Sequence, residues 1–400
     1  MRHDLSDLAD TKQNDIQVAH PLMLTPGILA LLSGDGPVRI PVARPSLPRT
    51  DLLVPYLRQI DETQIYANHG PLVDQFEARM AARLGLQRSE VISCNSGTMA
   101  LVGLIRATRS LWNHPGRLCL LPAYTFVATA GAVMSCGYEC HLVDIDPVSW
   151  AMEPAALRSH PRLSEVGLVV PVAPYGRMID LQGWQDFQSE TGIPVVVDAA
   201  ACLDQLMRDS SCVPEAVPLA LSLHATKSFG SGEGGLVLSC NSTLVKETYK
   251  VLNNGFFGSR DAQTVGLNGK MSEYTAVVAL AELDGFADKL ARWAKVAEAY
   301  AAAPPAAGVR LWTAPDVSAC YALAEVGSAG HAADLRARLT DRGIDVRNWY
   351  GAGLPAHPAY AHLWKDTLTV SNDIASRVIG LPCFTDLTDT DISRITAELR

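Results

Sequence analysis

The chain has 400 residues, of which 48% are hydrophobic and 19% charged, and its 33 basic against 42 acidic residues give a net charge of −9. This length exceeds one typical domain, and the composition is that of a folded globular protein. The acidic balance argues against non-specific binding to nucleic acid or to anionic membranes. No apolar stretch reaches the roughly 18 residues of a membrane-spanning helix, and the N-terminus lacks a secretory signal pattern. We therefore expect neither nucleic acid nor membrane as a partner.

The chain contains nine cysteines, an odd number with no Cys-x-x-Cys pair, and several of them lie inside apolar runs. Buried, reduced thiols in a cytoplasmic protein fit this pattern best. Cys136 and Cys140 form the closest pair, but no second pair of ligands lies near them in the sequence. We therefore predict a cytoplasmic location and no metal site.

Residues 1–36 are of mixed composition and end at the break Gly34-Asp35-Gly36-Pro37. We interpret them as an N-terminal extension. An apolar segment within it, residues 22–32, offers a surface that could dock on the protein body or on a partner subunit.

From residue 37 to residue 302, short apolar runs alternate with segments of helix length, and a long Ala- and Leu-rich helix over residues 273–302 closes the region. This alternation predicts an α/β fold with a mainly parallel sheet flanked by helices. Residues 303–400 mix strand-like and helical segments and are predicted to form a smaller C-terminal α+β domain. The predicted strands of the large domain cover residues 91–94, 118–121, 140–144, 167–172, 194–198, 219–223 and 235–239.

Three polar sites follow the ends of these strands. Ser96-Gly97-Thr98 opens an apolar helix, where free amides and the helix dipole favour a phosphate. Asp198 ends a Val-rich strand, and ligands of open α/β sheets bind beyond such ends. Lys227 lies on a loop between two strands, with glycines at 230, 232, 234 and 235. A partly desolvated amine there is of the kind that forms a Schiff base with an aldehyde. Taken singly, these residues also fit a helix cap, a turn residue and a surface charge.

Taken together, the chain resembles the DegT/DnrJ/EryC1/StrS family of pyridoxal-phosphate-dependent nucleotide-sugar aminotransferases, a group of fold type I. The resemblance runs from about residue 37 to the C-terminus. It rests on Asn68-His69-Gly70-Pro71-Leu72 with Phe76-Glu77, Ser96-Gly97-Thr98-Met99-Ala100-Leu101, Pro122-Ala123-Tyr124-Thr125-Phe126-Val127-Ala128-Thr129, Val143-Asp144-Ile145-Asp146, Pro174-Tyr175-Gly176, Val197-Asp198-Ala199-Ala200, Ser222-Leu223-His224-Ala225-Thr226-Lys227 with Gly232-Glu233-Gly234-Gly235, and Gly266-Leu267-Asn268-Gly269-Lys270-Met271-Ser272-Glu273.

The resemblance implies pyridoxal 5'-phosphate as cofactor and a catalytic pair. Lys227 would bind the cofactor aldehyde and then move a proton between substrate and cofactor. Asp198 would pair with the protonated pyridine nitrogen, which makes the ring an electron sink. The implied cofactor contacts, besides these two residues, are Gly97, Thr98 and Ser222 at the phosphate, Phe126 and Ala200 on the two ring faces, and Asn268 from the neighbouring subunit.

The remaining implied residues concern assembly and substrate. Asn268 would reach the phosphate of the neighbour, so a homodimer with shared active sites is expected. His357 lies where relatives carry residues near the substrate. Phe126 is equally compatible with core packing, and His224 is interpreted as a structural loop residue.

Two positions depart from the family pattern. Ala201 stands where Gln or His usually contacts the phenolic oxygen of the cofactor, and Lys270 stands where Arg is common. The first change removes a cofactor contact, which another residue or a water would have to replace. The second keeps the charge but loses the fork geometry of a guanidinium.

The expected activity is transfer of an amino group, with glutamate as the expected donor, to a keto group of a nucleotide-linked deoxysugar for amino-sugar or polysaccharide biosynthesis. One alternative is a cyclitol or another keto substrate on the same scaffold. A second is dehydration, against which Lys227 argues because the dehydratase branch typically carries histidine there. A third is a cofactor-binding regulatory or interaction protein, which Ala201 and residues 1–36 keep open.

Overall fold

The computed structural model describes residues 39–112, 114–209 and 217–400, so the predicted extension over residues 1–36 and one of the nine cysteines, Cys212, lie outside the described part. Residues Ile40–Arg400 form one compact unit. The predicted division at residues 302 and 303 stays a prediction.

Helices and strands alternate through most of the described chain. The helices are α1 (Thr50–Thr63), α2 (Pro71–Arg83), α3 (Gly97–Trp112), α4 (Val127–Ser135), α5 (Pro154–Leu157), α6 (Leu181–Thr191), α7 (Leu203–Arg208), α8 (Ser242–Leu252), α9 (Glu273–Ala301), α10 (Ala329–Asp341), α11 (Thr369–Arg377) and α12 (Asp389–Ala397). The strands are β1 (Val91–Cys94), β2 (Leu118–Pro122), β3 (Glu139–Val143), β4 (Val166–Val169), β5 (Val197–Asp198), β6 (Leu219–Ser222), β7 (Gly235–Leu238), β8 (Val309–Trp312), β9 (Ala322–Val326), β10 (Trp364–Lys365) and β11 (Val378–Leu381).

The large sheet joins two four-stranded parts, ordered β1-β7-β6-β5 and β4-β2-β3-β10. Two isolated parallel bridges connect the parts, Val169 with Val195 and Val172 with Asp198. β7 runs antiparallel to both of its neighbours, and the other strand pairs are parallel. The α/β fold with a mainly parallel sheet is therefore confirmed.

Both faces of this sheet are buried, which explains the continuous apolar runs in its strands. Successive residues of one strand enter different cores: Leu120 faces the cluster under α2, α6 and α9, whereas Leu121 faces the cluster under α3, α4 and α8. Val196 and Val197 divide in the same way. Strands covered by helices on both sides lose the polar alternation of half-exposed strands.

The long helix α9 spans 29 residues, as the Ala- and Leu-rich pattern predicts. It begins at a cap, where the Ser272 hydroxyl accepts a hydrogen bond from the Thr275 amide at 3.1 Å. Its first half contributes to the core of the large sheet, and its second half contributes Trp293 and Tyr300 to the core around the small sheet. One helix therefore packs against both layers.

The small antiparallel sheet has the strand order β11-β9-β8 and lies in the C-terminal part of the chain. α10 also lies in this part of the chain, and Gly343 follows this helix with φ of 70°. The left-handed backbone at this position fits glycine, which commonly ends a helix.

Within the described residues, no helix is long and apolar enough to cross a membrane. The eight described cysteines are free thiols, and all but Cys240 are buried.

Candidate active site

A cavity of about 450 Å³ opens near the carboxyl ends of β5 and β6. Small-molecule sites in proteins typically enclose about 300–1,000 Å³. Seven of the nine predicted site residues line this cavity, namely Gly97, Thr98, Phe126, Asp198, Ala200, Ser222 and Lys227. The fold thus brings together residues from four separate segments of the chain.

The start of α3 forms one end of the cavity. The Ser96 hydroxyl accepts a hydrogen bond from the Met99 amide at 3.2 Å, and the amides of the first turn of a helix have no partner within it. Gly97 packs directly on Ser222 at the end of β6, because a Cβ added there would lie 2.7 Å from the Ser222 Cβ. This end offers amide and hydroxyl donors in a geometry that suits an anionic group.

Asp198 forms the buried acid of the cavity, and 6% of its surface is exposed. Its Oδ2 accepts a hydrogen bond from the Thr129 hydroxyl at 2.7 Å, and its Oδ1 accepts one from the Ala200 amide at 3.1 Å. Thr129 is in turn 3.0 Å from the Thr125 hydroxyl. Burial raises the pKa of Asp198, while the two hydrogen bonds and the charge of Lys227 lower it. A cation brought into the cavity would therefore be stabilised beside this carboxylate.

Lys227 is half-buried, on the predicted loop between β6 and β7. Its Nζ donates a hydrogen bond to the Tyr321 hydroxyl at 3.2 Å. The loop is fixed on both sides of the lysine, because the Lys227 amide donates to the His224 carbonyl at 2.8 Å and the Ser228 hydroxyl donates to Asp204 at 2.9 Å. A short, fixed loop thus orients the amine toward the cavity.

His224 makes local contacts within this loop, and its predicted structural role stays a prediction. Its Nδ1 is 2.8 Å from the Thr226 hydroxyl, and its amide donates to the Ser222 hydroxyl at 3.2 Å. The ring also lines the cavity.

The ring of Phe126 lines the cavity and is 55% exposed. The core-packing alternative for this side chain is therefore wrong. Its backbone precedes α4 directly, so the start of that helix places the ring over the cavity. Ala201, the position that departs from the family pattern, is buried and also lines the cavity.

An aromatic wall from the C-terminal part of the chain closes the other side, and the sequence did not predict it. It consists of Tyr321, Trp349 and Tyr350, whose rings line the cavity. Tyr350 accepts a hydrogen bond from the Tyr175 amide at 3.0 Å, and Tyr175 has a left-handed backbone with φ of 54°. Such a conformation is costly for a non-glycine residue, and here four aromatic contacts hold it.

Arg347 also lines the cavity and was not predicted. Its backbone exchanges two hydrogen bonds with Gly380, at 3.0 and 2.7 Å, and its guanidinium lies 5.0 Å from the centre of the Trp349 ring. Within the described residues, no carboxylate lies at ion-pair distance from this guanidinium. No local pattern in the sequence indicates this wall, because its residues reach the cavity only through long-range packing.

Two predicted residues, Asn268 and His357, are not among those that line the cavity. Asn268 is exposed, and its carbonyl accepts a hydrogen bond from the Asn95 side chain at 3.4 Å. His357 packs edge-on against Tyr360, with ring centres 6.4 Å apart. The predicted roles of both residues stay predictions.

Comparison with known proteins places the chain among aminotransferases. The model of the DegT/DnrJ/EryC1/StrS aminotransferase family matches residues 50–400. Protein Rv3402c of Mycobacterium tuberculosis (strain ATCC 25618 / H37Rv) is 31% identical over 390 residues, which cover 94% of each chain. The dTDP-4-amino-4,6-dideoxy-D-glucose transaminase of Shigella dysenteriae is 31% identical over 244 residues, which cover 61% of this chain and 64% of the relative.

A solved structure shares the fold over nearly the whole chain. The putative PLP-dependent aminotransferase from Bacillus cereus ATCC 10987 superposes with a TM-score of 0.81 and 27% sequence identity, covering 90% of this chain and 100% of the other. The family and this fold imply pyridoxal phosphate as the cofactor. The chain belongs to the DegT/DnrJ/EryC1/StrS aminotransferase family.

Proposed function

We propose that this protein transfers an amino group from an amino acid, glutamate being the expected donor, to a keto group of a nucleotide-linked deoxysugar. The observation that carries the proposal is one cavity lined by a lysine, a buried carboxylate and a helix N-terminus. The transaminase from Shigella dysenteriae, whose name gives a dTDP-linked amino sugar, supports the substrate class.

The residues of the cavity fit pyridoxal phosphate. Gly97, Thr98 and Ser222 would hold the phosphate, because they line the end of the cavity where the first turn of α3 leaves amide donors free. Asp198 would hold the ring nitrogen in its protonated form, because a buried carboxylate favours a cation brought beside it. Phe126 and Ala200 would lie on the two ring faces. When bound, the cofactor supplies an electron sink for the substrate carbon.

Lys227 is the proposed acid–base group of the reaction. Its Nζ lies 3.2 Å from the Tyr321 hydroxyl, a neutral donor and acceptor, so the amine can be held in place while it gives up or takes a proton. Burial keeps the pKa of Tyr321 well above its usual range, so the phenol stays protonated at neutral pH. Tyr350 and Trp349 close this side of the cavity and would exclude water from the reacting atoms.

Arg347 is the proposed anchor for an anionic group of the substrates. The guanidinium stands in the cavity wall and geometrically suits a carboxylate or a phosphate. The donor carries a carboxylate and the acceptor carries a diphosphate. Replacing Arg347 by Gln should therefore raise KM far more than it lowers kcat, and separate half-reactions with glutamate and with sugar nucleotide would show which partner it binds.

A homodimer with shared sites is proposed for the assembly. Asn268 is exposed, and two apolar side chains that precede it in the chain are exposed as well, Val265 at 83% and Phe257 at 39%. A partner subunit would cover this apolar surface, and Asn268 would then reach the phosphate of the partner. Mixing Asn268→Ala with Lys227→Ala should restore activity in heterodimers, since one site of each then carries neither defect. Heterodimers no more active than their parents would contradict shared sites.

The described residues also bear on the location of the protein in the cell and on the alternative functions. The buried free thiols support the proposed cytoplasmic location. Dehydration is disfavoured because Lys227, rather than histidine, lines the cavity. A purely regulatory role is disfavoured because Lys227, Asp198 and the proposed phosphate site at Gly97 line one cavity.

A substrate panel tests the proposed function. Purified protein is incubated with glutamate and a set of keto-sugar nucleotides, and the amino-sugar product is followed by mass spectrometry. Lys227→Ala should lose essentially all turnover, whereas the control Lys295→Ala, which changes an exposed lysine on α9, should keep it. Turnover by Lys227→Ala near the wild-type rate would refute the proposed role of Lys227.

A further inference from the structure

A second cluster of chemically active side chains lies outside the cavity. His141 lies in β3, His160 follows α5, and Asp366 follows β10, the edge strand of the large sheet. None of the three lines the cavity. No metal site is expected from the sequence, where Cys136 and Cys140 lack a second pair of ligands. The three residues of this cluster lie far apart in the chain and form no local motif.

The three side chains converge on one point. The His141 Nε2 is 2.7 Å from Asp366 Oδ1, and the His160 Nε2 is 3.4 Å from Asp366 Oδ2. One ligand atom from each residue lies within 4.8 Å of the other two. The His160 side chain is 5% exposed, yet its Nε2 has no hydrogen bond of good geometry. A buried, unpartnered nitrogen that faces a carboxylate and a second imidazole needs a further partner.

We propose that His141, His160 and Asp366 form a binding site for a divalent transition-metal ion of the zinc type. Two imidazoles and a carboxylate are ligands that Zn²⁺ and Co²⁺ accept, with metal–ligand distances of about 2.0–2.2 Å. Tetrahedral ligand atoms at that radius lie roughly 3.3 Å apart. The side chains would have to move by about 1 Å to bring their ligand atoms, now within 4.8 Å of one another, to that spacing. The fourth position would be taken by water, because Asp366 is one-third exposed.

Contacts of Arg162 determine which ring nitrogen of His141 and of His160 carries the proton, and metal binding would change this. Its Nη1 and its backbone amide lie 3.3 Å from the Nδ1 atoms of His141 and His160, so each ring carries its proton on Nε2. Metal binding moves each proton from Nε2 to Nδ1 without a net loss, and it displaces these two long contacts. Glu165 holds Arg162 through bonds of 2.9 and 2.7 Å and so keeps this guanidinium beside His141.

The ion would fasten the edge of the large sheet. β10 has two residues and pairs within the described chain with β3 alone, in a parallel register of Trp364 with His141. A metal shared by β3, β10 and the segment after α5 would join three elements that few hydrogen bonds connect. An ion that binds only the folded state raises the melting temperature, and above the Kd the rise follows the logarithm of the metal concentration.

Metal titration of the whole, cofactor-loaded protein tests this site. Protein with its affinity tag removed is treated with a chelator, exchanged into buffer and titrated with Co²⁺ and Zn²⁺. We expect one ion per chain, a visible Co²⁺ absorption band of a four-coordinate site, and a higher Tm with Zn²⁺. His160→Gln should lower metal affinity by at least about 100-fold, since even residues behind a ligand are worth 10–100-fold.

Two further variants keep the result interpretable. Asp366→Asn changes a partly exposed ligand and should also abolish the Co²⁺ band and the Tm increase, even if His160→Gln folds poorly. His331→Gln, on α10 and outside the cluster, should bind like wild type. Absence of binding in wild type, or equal binding by Asp366→Asn, would overturn the proposal.

Discussion

Two buried carboxylates, six positions apart, differ in what surrounds them. Asp204 in α7 is fully buried and accepts hydrogen bonds from the Ser228 hydroxyl at 2.9 Å, the Ser318 hydroxyl at 2.6 Å and the Ala319 amide at 3.0 Å. Arg208 lies 3.3 Å from it. With four donors around it, this acid has no capacity left for a ligand, and its role is to join α7 to two other segments.

Asp198 has two donors, from Thr129 and Ala200, and it faces the cavity. Burial raises its pKa. The comparison teaches that burial alone does not mark a functional acid. A functional acid is better recognised when its buried carboxylate faces a cavity and can still accept further hydrogen bonds.

The largest effect is expected for Asp198→Asn. An amide still accepts a hydrogen bond from the Ala200 amide and can donate one to the Thr129 hydroxyl, so the free energy of unfolding should change by about 1 kcal/mol or less. The charge that would hold the ring nitrogen protonated is lost, and kcat should fall by at least about 100-fold. Steady-state kinetics and thermal denaturation measure the two effects. An unchanged kcat would remove Asp198 from the cofactor site.

The opposite pattern is expected for Asp204→Asn. Its amide cannot accept from all the donors around it, and Arg208 loses its partner, so the folded state should lose roughly 2–4 kcal/mol. The kcat of the folded fraction should stay within about tenfold of wild type, because Asp204 reaches the Lys227 loop only through Ser228, and the bond of the Lys227 amide to the His224 carbonyl remains. If Asp204→Asn is as stable as wild type but inactive, Asp204 is a functional acid like Asp198 and the proposed difference between them is wrong.

A smaller effect is expected for Thr129→Val, which removes one hydrogen bond from Asp198 and keeps the shape of the side chain. The carboxylate loses its donor at 2.7 Å, and its pKa should rise further. We expect kcat to fall by about tenfold, with the acid limb of the pH–rate profile moved to higher pH. An unshifted acid limb would show that Thr129 does not tune this acid.

The smallest effect at neutral pH is expected for His69→Asn. Burial, with the nearby charge of Lys270, lowers the pKa of His69 from 6.5 to about 4. The unfolded chain therefore takes up a proton before the folded chain does, and the stability that is fully present above pH 6.5 is lost as the pH falls through about 4. Asparagine tolerates the left-handed backbone of His69, whose φ is 54°.

Tm measured between pH 7 and pH 4.5 checks this point. Wild type should lose more stability than His69→Asn over that range, while the two have similar kcat at pH 7. Identical pH profiles of Tm would mean that His69 is not a buried neutral imidazole. His69 does not line the cavity that holds Asp198, so we expect its shifted pKa to affect stability rather than kcat.

The sequence predicted those parts of the site that lie on local patterns. Strand-end positions such as Asp198 and Ser222 follow apolar runs, and the first turn of α3 follows a strand. The hydrophobic pattern and the order of strands and helices along the chain are therefore enough to place them. The burial of both sheet faces likewise follows from runs such as residues 194–197.

The missed residues depend on long-range packing. Tyr321 and Arg347 come from the C-terminal part of the chain, 94 and 120 positions after Lys227, and no local period indicates that they meet it. Thr129 belongs to a quoted motif, but its bond to Asp198 depends on how α4 packs on the sheet. Contacts set by tertiary packing leave no signal in one sequence.

The most direct test of the central claim concerns the lysine of the cavity. Protein purified with pyridoxal phosphate is reduced with borohydride, digested and mapped by mass spectrometry. We expect a visible absorption band that reduction removes, and one stable cofactor adduct, on Lys227. Lys227→Ala should give neither, and the exposed Lys295 should carry no adduct in wild type. An adduct on another lysine, or a reduced wild-type protein without one, would contradict the account.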